Sequence, residues 1–461
     1  MPNQNNIFIK AAHKIGMDGA IAYSSGARII QGIAGVGTIF FISTFLTGVE
    51  QGFYFTFGSI LALQIFFELG LTGIMTQYVA HEASHLSLDS SMEYVGEQKY
   101  KSRLASLVRF CVKWYSVLAI VVLSFLIIAG YIYFTKYGDT QAEEVKWRIP
   151  WIIVAFSTSI QLFISPLNSI LTGLGFVKET TRISFFQQII MPLSIWVGLY
   201  CGAKLFVSGI AYFLSSVVWV VMANKRGLLI ILRNFFKIEI TEKVSYMKEI
   251  FPYQWKIALS WISGYFIFQL FNPVLFAAEG AVVAGQMGMT LTAINAIQAL
   301  SISWMNTKIP LYSKFIALKD YTQLDNRFKT TFKQMILVCL SCMSLFFLFI
   351  VVLRENKIFV NGEQISERFL PYIPMALLVI TSLTNQFISA WATYLRCHKK
   401  EPMVVQSVVV GILVMLSTVI CGYKVGVIGV TLGYCLITVF ISLPWTYKIF
   451  ITKKREWHGE F

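Results

Sequence analysis

Apolar runs long enough to cross a bilayer recur from one end of this chain to the other. Two of them, AIAYSSGARIIQGIAGVGTIFFISTFLT and GFYFTFGSILALQIFFELGLTGIMTQYVA, lie between Ala20 and Ala80. The break between them, at Gly48-Val49-Glu50-Gln51, is too short to hold a domain. A membrane helix needs about 20 mostly apolar residues, so each arm is a span and the two form an antiparallel hairpin. The same pattern predicts twelve spans, at about 20–46, 52–80, 104–134, 149–173, 183–201, 205–224, 253–276, 281–306, 330–353, 370–394, 403–422 and 426–447.

The breaks between spans are short or charged, and none is long enough for a soluble catalytic domain. The longest interior connection, 225–252, begins KRGLLIILRNFFK. Its mixture of basic and apolar residues predicts a helix lying on the membrane surface. It divides the chain into an N-terminal half, 1–224, and a C-terminal half, 253–461, of six spans each. Cys201-Gly202-Ala203-Lys204 and Gly209 recur as Cys421-Gly422-Tyr423-Lys424 and Gly429, at a constant offset of 220. Lys178-Glu179 recurs as Lys400-Glu401 at an offset of 222. An even number of spans per half makes this a parallel repeat about an axis along the membrane normal, with the substrate path expected between the copies. The expected fold class is an all-α polytopic membrane protein. It has twelve transmembrane helices in two pseudo-symmetric six-helix bundles, joined by a cytoplasmic interfacial linker.

Composition agrees: 56% of residues are hydrophobic and 13% charged, against about 25% charged in a soluble domain. Lysine and arginine set the orientation. With the N-terminus inside, 27 of the 38 fall in inner segments and 8 in outer ones. Both termini are therefore expected in the cytoplasm. The net charge of +15 is then a response to anionic lipid headgroups, and no nucleic acid is implied. Residues 1–19 lack the apolar core of a cleavable signal peptide. Seven scattered cysteines make no disulfide framework. Cys339 and Cys342 form a CxxC inside an apolar helix, without a second pair, so no metal or redox role is assigned to them.

Ionisable residues inside a membrane are costly and mark function. Arg28 lies in the first span, 22 residues before Glu50. Lys256 begins the seventh, 23 residues before Glu279. The two cations are thus expected at similar depth near the inner ends of the first helix of each half. Together they suit a diphosphate, an arginine forking onto its oxygens and a lysine adding a point charge. Ser24, Ser25 and Gln31 give the Arg28 helix a polar face. Snorkelling to the headgroups is the structural alternative. Arg109 and Lys113, four residues apart, share one face of the third span and extend a cationic surface or meet lipid. Glu68, in the middle of the second span, pairs with a cation, carries a coupling proton or stays neutral in the bundle; the residues leave these readings open. Asn295 and Gln298 share a face of the eighth span, as glue between helices or as sugar contacts. Pro166, Pro192 and Pro273 are expected to kink spans 4, 5 and 7.

His81-Glu82-Ala83-Ser84-His85 fits the zinc-protease pattern HExxH. It falls at the inner end of span 2, with only His13, Glu93 and Glu97 nearby as third ligands. A polar helix end is the simpler reading, and no metal or cofactor is expected. No P-loop and no nucleophilic triad is present. A primary pump and most enzymes are thereby excluded.

The hairpin FLTGVEQGFYFTFGSILALQIFFELGLTGIMTQ (45–77) resembles the start of bacterial polysaccharide flippases. The resemblance rests on the turn into span 2 and on the acidic-Leu-Gly-Leu group Glu68-Leu69-Gly70-Leu71. The segments opening with Gly209 and Gly429 are similar to that family too. The family is the O-antigen type within the multidrug, oligosaccharidyl-lipid and polysaccharide exporter superfamily. The resemblance implies a bacterial inner-membrane protein that moves an undecaprenyl-diphosphate-linked oligosaccharide from the inner to the outer leaflet. Its partners would be membrane lipids and the polysaccharide polymerase and chain-length machinery. Lipid II flippases of the superfamily typically have fourteen spans, so twelve argues against that branch. A multidrug cation antiporter of the same fold is the alternative. It would need buried acids, and Glu68 is the mid-span acid found.

Overall fold

The computed structural model describes residues 19–89, 92–141, 144–360, 363–398 and 400–459. The first span is α1 (Gly19–Phe45). The second runs as α2 (Gly48–Leu61), a 3-10 turn, α3 (Ile65–Glu68) and α4 (Leu71–Ala83). Then come α5 (Gln98–Tyr137), α6 (Arg148–Gly173), α7 (Val177–Tyr200), α8 (Phe206–Lys225) and the short linker helix α9 (Leu228–Asn234). The later half holds α10 (Phe251–Phe268), α11 (Phe271–Glu279), α12 (Ala281–Asn306), α13 (Ile309–Ala317), α14 (Tyr321–Glu355), α15 (Tyr372–Arg396), α16 (Val404–Val425), α17 (Val427–Ile437) and α18 (Leu443–His458). Two small antiparallel hairpins, β1 (Leu86–Leu88) with β2 (Tyr94–Gly96) and β3 (Phe359–Val360) with β4 (Glu363–Gln364), decorate the loops.

The fold is all-α and polytopic, with helical segments at all twelve expected spans. Among the described residues, nine are long and apolar enough to cross a membrane unaided, and the bent pair Gly48–Glu68 and Leu71–Ala83 makes a tenth. Of the other two, Ala281–Asn306 is less apolar because it carries Gln286, Thr290, Thr292, Asn295 and Gln298, and α1 starts among residues whose side chains are not described.

The breaks differ in cause. In span 7 the break falls between Phe268 and Phe271, because Pro273 has no N–H for the carbonyl of Gln269 and its ring crowds that oxygen. In span 2 no proline is involved: Leu69 and Gly70 both take left-handed backbone (φ 51° and 67°), and the two helical arms bend by 44°. A leucine there is strained. Helices α6 and α7, by contrast, run through Pro166 and Pro192 without interruption. The repeated tetrapeptide also differs locally. Gly202 and Lys204 form a turn with positive φ, whereas Gly422 and Lys424 lie inside α16.

The chain packs as two compact units. Of the described residues, those within 19–34, 67–129 and 148–257 form the first, and those within 35–66, 130–147 and 258–459 the second. In the first, glycines let backbones meet: a Cβ on Gly173 would stand 2.6 Å from the Thr76 carbonyl oxygen, and one on Gly209 3.0 Å from the Val154 nitrogen. In the second, α2 lies on α12 through Gly48, Gly52 and Gly285. A Cβ on Gly52 would stand 1.9 Å from the Ala281 oxygen. Small residues four apart are how membrane helices approach closely. Phe53, Phe57, Phe134 and Phe276 close this core with ring centroids 5.0–6.2 Å apart.

Candidate functional site

The break in span 2 builds a polar site in the first unit. Glu68 ends α3, and the left-handed turn at Leu69 and Gly70 brings Thr72 back over it, so the Thr72 hydroxyl donates to the Glu68 carboxylate. Tyr115 of α5, fully buried, lies close to Glu68 and Thr72. A carboxylate, a donating hydroxyl and a phenol converge there.

Arg28 and Lys256 lie on helical backbone, but their side chains are outside the described residues. Arg109 is committed elsewhere: its guanidinium donates to the carbonyls of Phe235 (3.1 Å) and Ile238 and lies over the Phe236 ring. It pins the linker to α5, which makes it an anchor in this structure rather than an open cation. Lys113, one turn further along, is exposed.

In the second unit Gln298 donates to the Ser382 carbonyl at 3.0 Å, and Gln386 donates to the Gln298 carbonyl at 3.2 Å. Gln298 therefore ties α12 to α15 as interhelical glue. Asn295, one turn earlier, is exposed in mid-span.

Sequence reasoning missed an ion-pair cluster at the start of α5. Arg103 at the start of α5 donates to Glu82 (3.0 Å) and to Glu249 of the linker (2.8 Å), and the Glu82 side chain is 5% exposed. The Glu249 carboxyl is held below the usual range, first by the Ser245 N–H and then by Arg103. The Ser102 hydroxyl accepts from the N–H groups of Thr241 and Glu242, and Tyr78 donates to the Glu249 carbonyl. This also explains the zinc-like motif. Its Glu82 serves Arg103, while His85 stacks on Tyr100 at 4.0 Å and His81 points outward, with 76% of its side chain exposed. A second missed residue is Arg368. It is buried, donates to the Leu46 carbonyl, and its own carbonyl accepts from Gln51 at 3.0 Å.

No family model matches the chain, and no curated protein matches it. Solved structures do. A lipid II flippase, MurJ, in an inward closed conformation aligns over 94% of this chain and 90% of its own, with a TM-score of 0.57 at 13% identity. The MATE multidrug transporter DinF-BH aligns over 96% of both chains (TM-score 0.56, 14% identity). An inward-facing MATE family transporter of the MOP superfamily aligns over 95% of this chain and 99% of its own (TM-score 0.55, 12% identity). The chain shares the fold of these transporters over essentially its whole length.

Proposed function

We propose that this protein flips an undecaprenyl-diphosphate-linked oligosaccharide from the inner to the outer leaflet of a bacterial inner membrane by alternating access. The reading rests on one observation above others: a transporter fold shared with a lipid II flippase, in a chain whose first span carries the permanent cation Arg28. A diphosphate needs such a cation inside the membrane, and Lys256 supplies a second at similar depth. Asn295 is a sugar contact in this reading, and Glu68 carries the coupling proton. The multidrug neighbours support a second reading, a cation antiporter in which Glu68 attracts the drug. Arg28 separates the two. Arg28→Ala abolishes glycan export at normal protein level, because removing a charged partner from a desolvated phosphate costs about 2–5 kcal/mol. Arg28→Lys keeps part of the activity, since the charge remains and the fork is lost. Full export by Arg28→Ala in a complementation assay would reject the role.

A further inference from the structure

The end of the second unit that bears the C-terminus holds a histidine pair with no part in the sites above. His398 follows α15 and His458 ends α18. Their Nε2 atoms stand 3.3 Å apart. The neighbouring contacts fix the protons. His398 Nδ1 lies 3.1 Å from the Tyr394 carbonyl, which only accepts, so Nδ1 carries a hydrogen. In the neutral ring His398 Nε2 then accepts, and His458 donates through its own Nε2. The same N–H faces the Tyr394 hydroxyl oxygen at 3.4 Å. That oxygen is open to accept because its hydrogen goes to Asp325 Oδ1 at 2.7 Å. A single set of tautomers satisfies all these contacts, with both rings neutral.

The surroundings oppose a positive charge. From α14 come Tyr321, stacked on His458 at 3.9 Å, and Asp325. Lys454 of α18 already pairs with Asp325 at 2.5 Å. Lys400, on the loop after α15, lies 4.7 Å from the Trp457 ring, which packs on His398 at 5.0 Å. Among these described residues, one carboxylate, already shared with Lys454, stands against two lysines. A proton added at His398 Nε2 would set N–H against N–H within a hydrogen-bond distance.

We propose that His398 and His458 form a pH-sensitive clasp, which holds the last turn of α18 on α14 and α15 while both rings are neutral and releases it on protonation. The clasp is independent of what the chain transports. It makes the C-terminal ends of these spans responsive to acidity at their own membrane face. Burial holds His398 below the ordinary histidine value, with Lys400 adding to the effect. The released form therefore binds the proton more tightly than the docked one. Docking is at full strength above about pH 6.5 and weakens as pH falls toward the lowered value, by at most about tenfold per pH unit for one proton.

Amide hydrogen exchange of residues 443–459 in the purified full-length protein, corrected for intrinsic rates, tests this. Between about pH 7.5 and pH 5.5 the wild-type segment is expected to lose protection by several-fold, up to about tenfold, while the centre of α15 stays protected. His398→Gln keeps an acceptor toward His458 and cannot be charged, so its protection stays level with pH. His458→Phe keeps the stack on Tyr321, removes the opposing N–H, and flattens the response too. Level protection in the wild type, or an undiminished acid response in both variants, would overturn the clasp.

Discussion

Gly52 and Gly58 lie on the same helix, α2, and the same substitution at each has opposite consequences. A Cβ on Gly58 meets nothing within 4 Å, so Gly58→Ala brings only the helix propensity of alanine, a gain of about 0.8–1.0 kcal/mol. A Cβ on Gly52 would stand 1.9 Å from the Ala281 oxygen, 2.5 Å from its carbonyl carbon and 2.8 Å from its Cα. All three are backbone atoms, so no side chain can rotate aside. Ordinary contact is about 3.5–4.0 Å, so α2 and α12 must separate by about 1.5 Å. Overpacking of this kind costs about 1–3 kcal/mol, and a rigid backbone neighbour puts it at the upper end. Against the propensity gain, Gly52→Ala should destabilise by about 2 kcal/mol, some 3 kcal/mol from Gly58→Ala. Unfolding midpoints of the two variants and the wild type in one detergent give the comparison. A Gly52→Ala protein that melts at or above the wild type would refute the packing of α2 on α12.

Two further predictions concern the first unit. Arg103→Ala leaves the carboxylate of Glu82 buried without its cation and should cost about 3–5 kcal/mol, read as a lowered melting point and as protease sensitivity of the 225–252 linker. Because the Glu249 carboxyl lies below its unfolded value of about 4.3, its contribution is full above that pH and is lost as pH falls through the lowered value; Glu249→Gln should remove this acid-limb dependence of linker cleavage. Glu68→Gln retains an oxygen for Thr72 and should fold normally, yet uncouple transport from a proton gradient; gradient-driven transport at the wild-type rate would show that the carboxylate is only structural.

The apolar runs made the spans legible because crossing a bilayer demands a length and a composition that single residues cannot hide. The helix in the linker, Leu228–Asn234, was legible as an apolar run inside a basic stretch. Side-chain partners were not. Arg109 reads as a cation on a helix face, and only the fold shows its guanidinium spent on the carbonyls of Phe235 and Ile238. Gln298 reads as glue between helices with sugar contact as the second reading, and Ser382 and Gln386 beside it give the glue its partners. The Glu82–Arg103–Glu249 cluster spans more than 160 positions, beyond any local pattern. One signal was available and unused: Gly48 and Gly52, four apart in an apolar helix, mark a close helix contact. Pro273 was readable as a break; the bend at Leu69-Gly70 was not, because nothing about a leucine announces positive φ.

Transport by the purified protein in proteoliposomes tests the central claim most directly. A lipid-diphosphate-linked oligosaccharide and a cationic dye are supplied in parallel, and movement of each across the bilayer is followed with wild-type protein and with Arg28→Ala. The account predicts that the wild type flips the glycolipid, that Arg28→Ala does not, and that neither moves the dye. Dye transport that survives Arg28→Ala and fails with Glu68→Gln, with no movement of the glycolipid, would contradict it.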